Sequence, residues 1–282
     1  MKRRSFLHIL GIDLGGGKGK KTALATLRVD AHDGVTVVGL DPRPGGAPFY
    51  DSSLISSLRS FGDGTLVCVD APLTLPPCLR CAVPVCPGQE ACVDPAVVTM
   101  RRLADEAAPE RLFPVSRGKP AVTPYTQRPS EIFLSARRHV IPREGLGQST
   151  GPLAARAAHL VRALGDRYRL NENLIEVHPR TTLLLLGLSS PYKRHLKERE
   201  HRANLLETLA PTLKFGPGIW REQCVQSDHL FEAVITAFTG FLWARDGWQV
   251  PSEMGSSAAR DGWIWVPPAQ TADELESAVA EG

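Results

Sequence analysis

Nowhere in the 282 residues is there a run of eighteen uncharged apolar side chains, so the sequence offers no helix able to cross a bilayer. A long Ser/Gly/Pro linker, an internal repeat and a low-complexity tract are also missing, which argues against an array of modules. One domain over residues 1–282, carrying insertions, is the expectation. Charge of one sign is scarce as well: 33 Lys and Arg against 30 Asp and Glu leave a net charge of +3, with the two signs interleaved. Nucleic-acid binders concentrate basic residues on one face, so this balance permits such a partner without requiring it. The opening Lys2-Arg3-Arg4-Ser5-Phe6-Leu7 has the outline of a twin-arginine leader. Its apolar run is short, Asp13 and a glycine run interrupt it, and no small-residue cleavage pattern follows. A cytoplasmic protein with no membrane contact is expected.

What is present in excess is cysteine over one short stretch. Four of the six cysteines lie in CLRCAVPVCPGQEAC, as C-x2-C-x4-C-x5-C at Cys78, Cys81, Cys86 and Cys92. A chain long enough to bury its own core has little need of a disulfide scaffold, so this spacing points to a thiolate metal knuckle in a reducing compartment. Four thiolates suit tetrahedral Zn²⁺, with an iron–sulfur cluster as the alternative because Cys86-Pro87 resembles ferredoxin sequences. Cys68, in an apolar strand, and Cys224, before a helix, are expected to be packed thiols.

Along the chain, residues 6–14 (FLHILGIDL) and TALATLRV read as a hairpin joined by GGGKGKK, and 34–40 as a third strand. An amphipathic helix at 51–61 follows, then a buried strand at 66–72. The proline- and cysteine-dense region 75–146, which contains the inserted loop 76–100, shows only scattered helical pattern. Beyond it come a helix at 151–164, a strand at 173–179, helices at about 199–210 and 228–244, a short strand at 262–267 and an acidic tail at 272–280 that reads as a surface helix. A hairpin first, then strands alternating with helices, is an α/β order with a mixed sheet.

Three of these strands carry one carboxylate near the carboxyl end: Asp13 in ILGIDL, Asp70 in LVCVDAP and Glu176 in LIEVHP. That edge is where open α/β sheets bind ligands. Strands run about 4.8 Å apart, so acids at one height repel unless a cation lies between them. Singly, each has a structural explanation: Asp70 as a turn cap, Asp13 bonded to the glycine loop, Glu176 paired with Arg180. Together they resemble the donor set that holds divalent ions roughly 4 Å apart for phosphodiester hydrolysis. In SDHLFEAVITAFTGFLWA, Asp228 and Glu232 stand one turn apart behind Ser227. Asp228 suits the helix dipole, whereas Glu232 lies deep in apolar sequence.

GIDL, VDAPL (69–73), PYTQRPSE (124–131), EVHPR (176–180), Tyr192-Lys193, DHLFEAVITAFTG and DGWIWVP occur in an order that resembles the predicted-nuclease family of the ribonuclease H fold catalogued as domain of unknown function 429. The likeness covers nearly the whole chain. It implies a ribonuclease H-like mixed sheet flanked by helices, with the cysteine segment as an insertion. It also implies Asp13, Asp70, Glu176 and the 228/232 pair as catalytic acids. One departure stands out: the family helix has aspartate before its alanine, where this chain has Glu232 before Ala233.

The expectation is a nuclease or related phosphodiesterase using Mg²⁺ or Mn²⁺, with Asp13 and Asp70 sharing ions and Glu176, Asp228 and Glu232 completing the site. Arg128 and Lys193 are the expected substrate contacts; Arg80, Arg101, Arg102, Arg117 and Lys119 are basic residues around the insertion whose commoner fate is solvated surface. A non-catalytic nucleic-acid or partner-binding module of the same fold is the first alternative. An actin-like kinase is the second, on the glycine-rich turn after Asp13, although a second Asp-Gly phosphate loop and an adenosine-binding glycine cluster are missing.

Overall fold

Three strands, β1 (His8–Asp13), β2 (Ala23–Val29) and β3 (Val35–Asp41), form an antiparallel meander at the start of the chain. Helix α1 (Asp51–Ser60) returns the chain so that β4 (Thr65–Val69) joins β1 in parallel, with Ile12 opposite Val69. β5 (Leu174–Val177) then adds in parallel to β4, with Glu176 opposite Val69. With β6 (Leu213–Phe215) parallel to β3 and β7 (Ile264–Trp265) at the far edge, the seven-stranded mixed sheet has the order β6-β3-β2-β1-β4-β5-β7. The fold class is mixed α/β, as the sequence implies. This computed structural model describes residues 3–16, 22–31, 33–42, 48–107, 120–138, 140, 142, 144–188, 191–193 and 198–268. The glycine-rich turn at 17–21, Arg117, Lys119 and the acidic tail lie outside the described residues. Among the described residues, no helix is long and apolar enough to cross a membrane.

Two compact units divide the chain. The first comprises residues 1–71, 160–248 and 265–282, the second 72–159 and 249–264. The core of the first unit is the centre of the sheet: every residue of β4 and β5, and all of β1 but His8, is buried. Strands covered on both faces read as continuous apolar runs, which is why β1 and β4 are visible in the sequence. Over them lies α8 (Asp228–Asp246), buried without a break from Leu230 to Ala244, as expected of a helix apolar around its circumference. Ser227 caps it by accepting a hydrogen bond from the Leu230 N–H at 3.3 Å, and Gly247 ends it in the left-handed conformation at φ 64°.

Two glycines set how closely that helix approaches. A Cβ on Gly11, in the middle of β1, would lie 2.0 Å from the Ala233 carbonyl oxygen and 2.5 Å from the Ala237 nitrogen. A Cβ on Gly240 would lie 2.1 Å from the Cys68 sulfur. Both obstacles are core atoms, so strand and helix backbones are nearly in contact, with only Ala233 and Ala237 between.

The second unit contains α2 (Pro95–Asp105), α3 (Pro129–Arg138) and α9 (Ser257–Asp261). α4 (Gly151–Leu164) runs across the boundary between the units in sequence. Phe133 and Trp263 meet edge to face at 5.0 Å. The proline-dense region therefore holds more helix than its sequence pattern indicated. Its prolines open helices: Pro95 and Pro129 are the first residues of α2 and α3, and Asp94 caps α2 through the Ala96 N–H at 2.8 Å. The cysteine segment has one short 3₁₀ turn, Pro77–Arg80, and no helix or strand from Cys81 to Asp94.

Replacing Gly11 by alanine is expected to destabilise the protein by about 2 kcal/mol or more through overpacking, and to lower Tm by about 5 °C or more. Gly62→Ala is the control, because an added Cβ there meets nothing within 4 Å. Equal melting temperatures for Gly11→Ala and the parent protein would contradict the close approach of α8 to β1.

Candidate metal centre

The parallel pairing of β1 and β4 brings the ends of both strands to one height. Ile12 is opposite Val69, and the Asp70 N–H donates to the Ile12 carbonyl at 2.9 Å, so Asp13 and Asp70 follow at the same level. Asp13 is 8% exposed. Directly over that edge is the first turn of α8, whose approach is fixed by the contact at Gly11. His229 and Glu232 are three residues apart, the spacing that puts side chains on one helix face.

These elements bring Asp13, His229 and Glu232 together: one potential ligand atom from each lies within 4.8 Å of the others. The His229 Nδ1 and an Asp13 carboxylate oxygen are 2.5 Å apart. Glu232, 3% exposed, accepts from Lys193 Nζ at 2.6 Å and from the Tyr192 hydroxyl at 3.1 Å. Asp228 accepts from the His229 backbone N–H at 3.0 Å, and its carboxylate is 3.9 Å from the imidazole Nε2. Glu176 is buried on β5 and bears electrostatically on Asp70.

The electrostatics are those of a site short of positive charge. Burial pushes the Asp70 carboxyl well above the usual carboxylate range; Glu232, Asp13 and Glu176 push the same way, against Lys193. Burial also raises Glu232, with Asp13 adding to it, while Lys193 and Tyr192 oppose. His229 is raised first by its hydrogen bond to Asp13 and then by the charges of Asp13, Asp228 and Glu232, against the opposing effect of burial. Two carboxylates and an imidazole at ligand spacing, beside a third carboxyl that burial and its neighbours push upward, can accept a cation in place of protons.

Of the residues singled out from sequence, Asp13 and Glu232 meet at ligand spacing. Asp70 interacts with both, Asp228 flanks His229, and Lys193 is bound to Glu232. His229 is not among the residues that the sequence singles out, because a histidine, unlike a carboxylate in an apolar run, carries no burial signal there; its one local signal is its place three residues before Glu232 and next to Asp228. Arg128 belongs to the second unit, is 1% exposed, and donates to Glu131 at 2.7 and 2.8 Å and to Thr74 at 3.1 Å, so its guanidinium faces protein. All six cysteines are free thiols. Cys68 and Cys224 are buried as expected, the latter with its thiol pushed up to about 12 by burial. Among the described residues, the Asp13 group is the one set of three or more His, Cys, Asp or Glu at ligand spacing, so the knuckle thiols are not drawn together as a closed metal site.

Residues 11–254 match the model of a family described as "Protein of unknown function (DUF429)". No curated protein and no solved structure matches the chain.

The raised acids and the raised histidine have the same linkage sign. A folded-state pKa above the unfolded value means that the folded protein binds more protons in that interval, so stability falls as pH rises through it. In chelator, Tm is therefore expected to fall from above the ordinary carboxylate range toward neutral and mildly alkaline pH. Asp70→Asn should flatten the slope and raise Tm at pH 8. A variant less stable than the parent across that range would contradict the repulsive cluster.

Proposed function

The chain belongs to the DUF429 family, and we propose that it is a divalent-metal-dependent nuclease or related phosphodiesterase of the ribonuclease H-like fold. The observation carrying this reading is the meeting of Asp13, His229 and Glu232 within 4.8 Å at the carboxyl edge of β1, beside Asp70. The sheet supports the fold assignment: an antiparallel β1-β2-β3 meander with β4 parallel on the other side of β1 departs from a purely doubly wound chain.

Asp13, Asp70, His229 and Glu232 are the residues that would hold Mg²⁺ or Mn²⁺. When bound, such ions supply activation of water and charge compensation at the phosphate and its leaving oxygen. Carboxylate oxygens suit either ion, and the imidazole in the set tilts the choice toward Mn²⁺. The remaining work falls to the chain's own groups. Tyr192 and Lys193 fix the orientation of Glu232 through two hydrogen bonds to one carboxylate oxygen. Lys193 is 37% exposed, so its ammonium is accessible to an incoming phosphate while it still holds Glu232. Asp13 orients the imidazole through Nδ1, leaving Nε2 toward Asp228. Glu176, buried on β5 opposite Val69, adds to the repulsion felt by Asp70. Glu232 in place of the family's aspartate makes the helix acid longer by one methylene, and its two hydrogen bonds restrain that extra freedom.

Nucleic acid as substrate follows from the phosphodiester chemistry such a carboxylate set serves. In the test, purified protein is incubated with labelled single- and double-stranded DNA and RNA in Mn²⁺ or Mg²⁺. Cleavage that is lost by a factor on the order of 100 or more in Asp13→Asn and Asp70→Asn, with the fold retained, is the expected result. Tight binding of nucleic acid without cleavage would overturn the nuclease reading in favour of a binding module, and stabilisation by ATP with sugar phosphorylation would favour a kinase.

A further inference from the structure

The cysteine segment takes no part in that chemistry, yet the second unit holds it firmly at both ends. Cys78 is the second residue of the 3₁₀ turn, its N–H donating to the Pro124 carbonyl at 3.1 Å, and the Cys81 N–H closes the turn on the Cys78 carbonyl at 3.4 Å. Arg80, between them, donates to the Leu75 carbonyl at 3.2 Å and reaches the buried carboxylate of Asp261 in α9. At the other end Arg101 of α2 donates to the carbonyls of Gln89 and Cys92, each at 3.0 Å, and to that of Glu90. Asp94, just past the last cysteine, caps α2 and pairs with Arg260 at 2.5 Å.

Between these anchors the chain has no core of its own. Leu79, Val83, Val85 and Val93 are 53%, 57%, 81% and 87% exposed, so apolar burial contributes little to ordering the loop. What the loop does contain is sulfur at C-x2-C-x4-C-x5-C spacing: Cys81 and Cys86 are exposed, and Cys81, Cys86 and Cys92 all act electrostatically on the half-buried Cys78. Four free thiols thus share one loop whose two ends are tied to adjacent residues of α9, Asp261 through Arg80 and Arg260 through Asp94.

We propose that Cys78, Cys81, Cys86 and Cys92 form a tetrathiolate zinc site that ties the loop 78–92 to itself, separate from the carboxylate centre. Zn²⁺ has no geometric preference from its d electrons and takes four thiolates at about 2.3 Å, with sulfurs about 3.8 Å apart. The thiols stand outside ligand spacing, so the loop closes by a local movement as the ion draws them in; the exposed valines leave that movement sterically free. Binding releases the thiol protons to solvent and leaves a doubly negative centre. The guanidiniums of Arg80 and Arg101, already placed against the loop, offset that charge.

Full-length protein expressed with zinc supplied should contain about one zinc per chain by elemental analysis, with four thiols that become titratable only when the metal is displaced. Co²⁺ exchanged into the protein should show the intense visible absorption of a tetrahedral thiolate site. Cys81→Ser and Cys86→Ser should each lose the ion and expose residues 76–100 to protease, while the far-UV circular dichroism of the sheet and helices is retained. Cys224→Ser and Asp13→Asn should keep it, which separates this site from the carboxylate centre. Should the serine variants fail to fold, removing the metal from the parent protein with a thiol reagent gives the same protease readout. Metal-free protein with four reactive thiols and a protease-resistant loop, iron with acid-labile sulfide, or a pair of disulfides would each overturn the zinc assignment.

Discussion

The approach of α8 to β1 is the constraint on which the candidate site depends. With no side chain at Gly11, the helix backbone comes so near the strand that an added Cβ would sit 2.0 Å from a helix carbonyl. Glu232 immediately precedes Ala233, the residue that makes this contact, so its position is set by the packing that buries the helix. A larger residue at 11 would push the helix away and carry Glu232 and His229 from Asp13. Function at this edge is thus coupled to a packing distance in the core, where volume changes of a single methyl are felt.

The second constraint is charge. Three carboxylates and a histidine concentrated on one edge, with Lys193 pairing with Glu232, cost stability in the absence of a cation, since burial and mutual repulsion both favour the protonated forms. The His229 proton shared with Asp13 and the Lys193 ammonium on Glu232 partly offset that cost. Such strained electrostatics cluster at functional sites because the ligand that relieves them is bound tightly.

Much of the sheet was legible because its strands are either alternating or continuously apolar, and α4 falls at 151–164 in both sequence and structure. The three strand acids and Glu232 were legible for a related reason: a charge inside an apolar run has few structural explanations. α5 (Pro179–Leu185), with His178 as its cap, was missed because EVHPR reads as the end of a strand, and β5 gives way to the helix within two residues. α7 (Arg221–Gln226) and β6 are too short to show periodicity. His229 escaped notice because its partner is 216 residues away in sequence, a pairing that no local pattern reveals. The closeness demanded by Gly11 was equally hidden, since a glycine in a strand reads as weakness until the opposing helix is known.

Diffraction from crystals soaked in Mn²⁺, with data collected at the manganese edge, tests most directly whether Asp13, Asp70, His229 and Glu232 form a binding site for divalent cations. Anomalous density bounded by Asp13, Asp70, His229 and Glu232 is expected, with the His229 to Asp13 hydrogen bond broken as the ion replaces the proton. Crystals that show no anomalous peak at saturating Mn²⁺, with that hydrogen bond and the Lys193 to Glu232 pair intact, would contradict it.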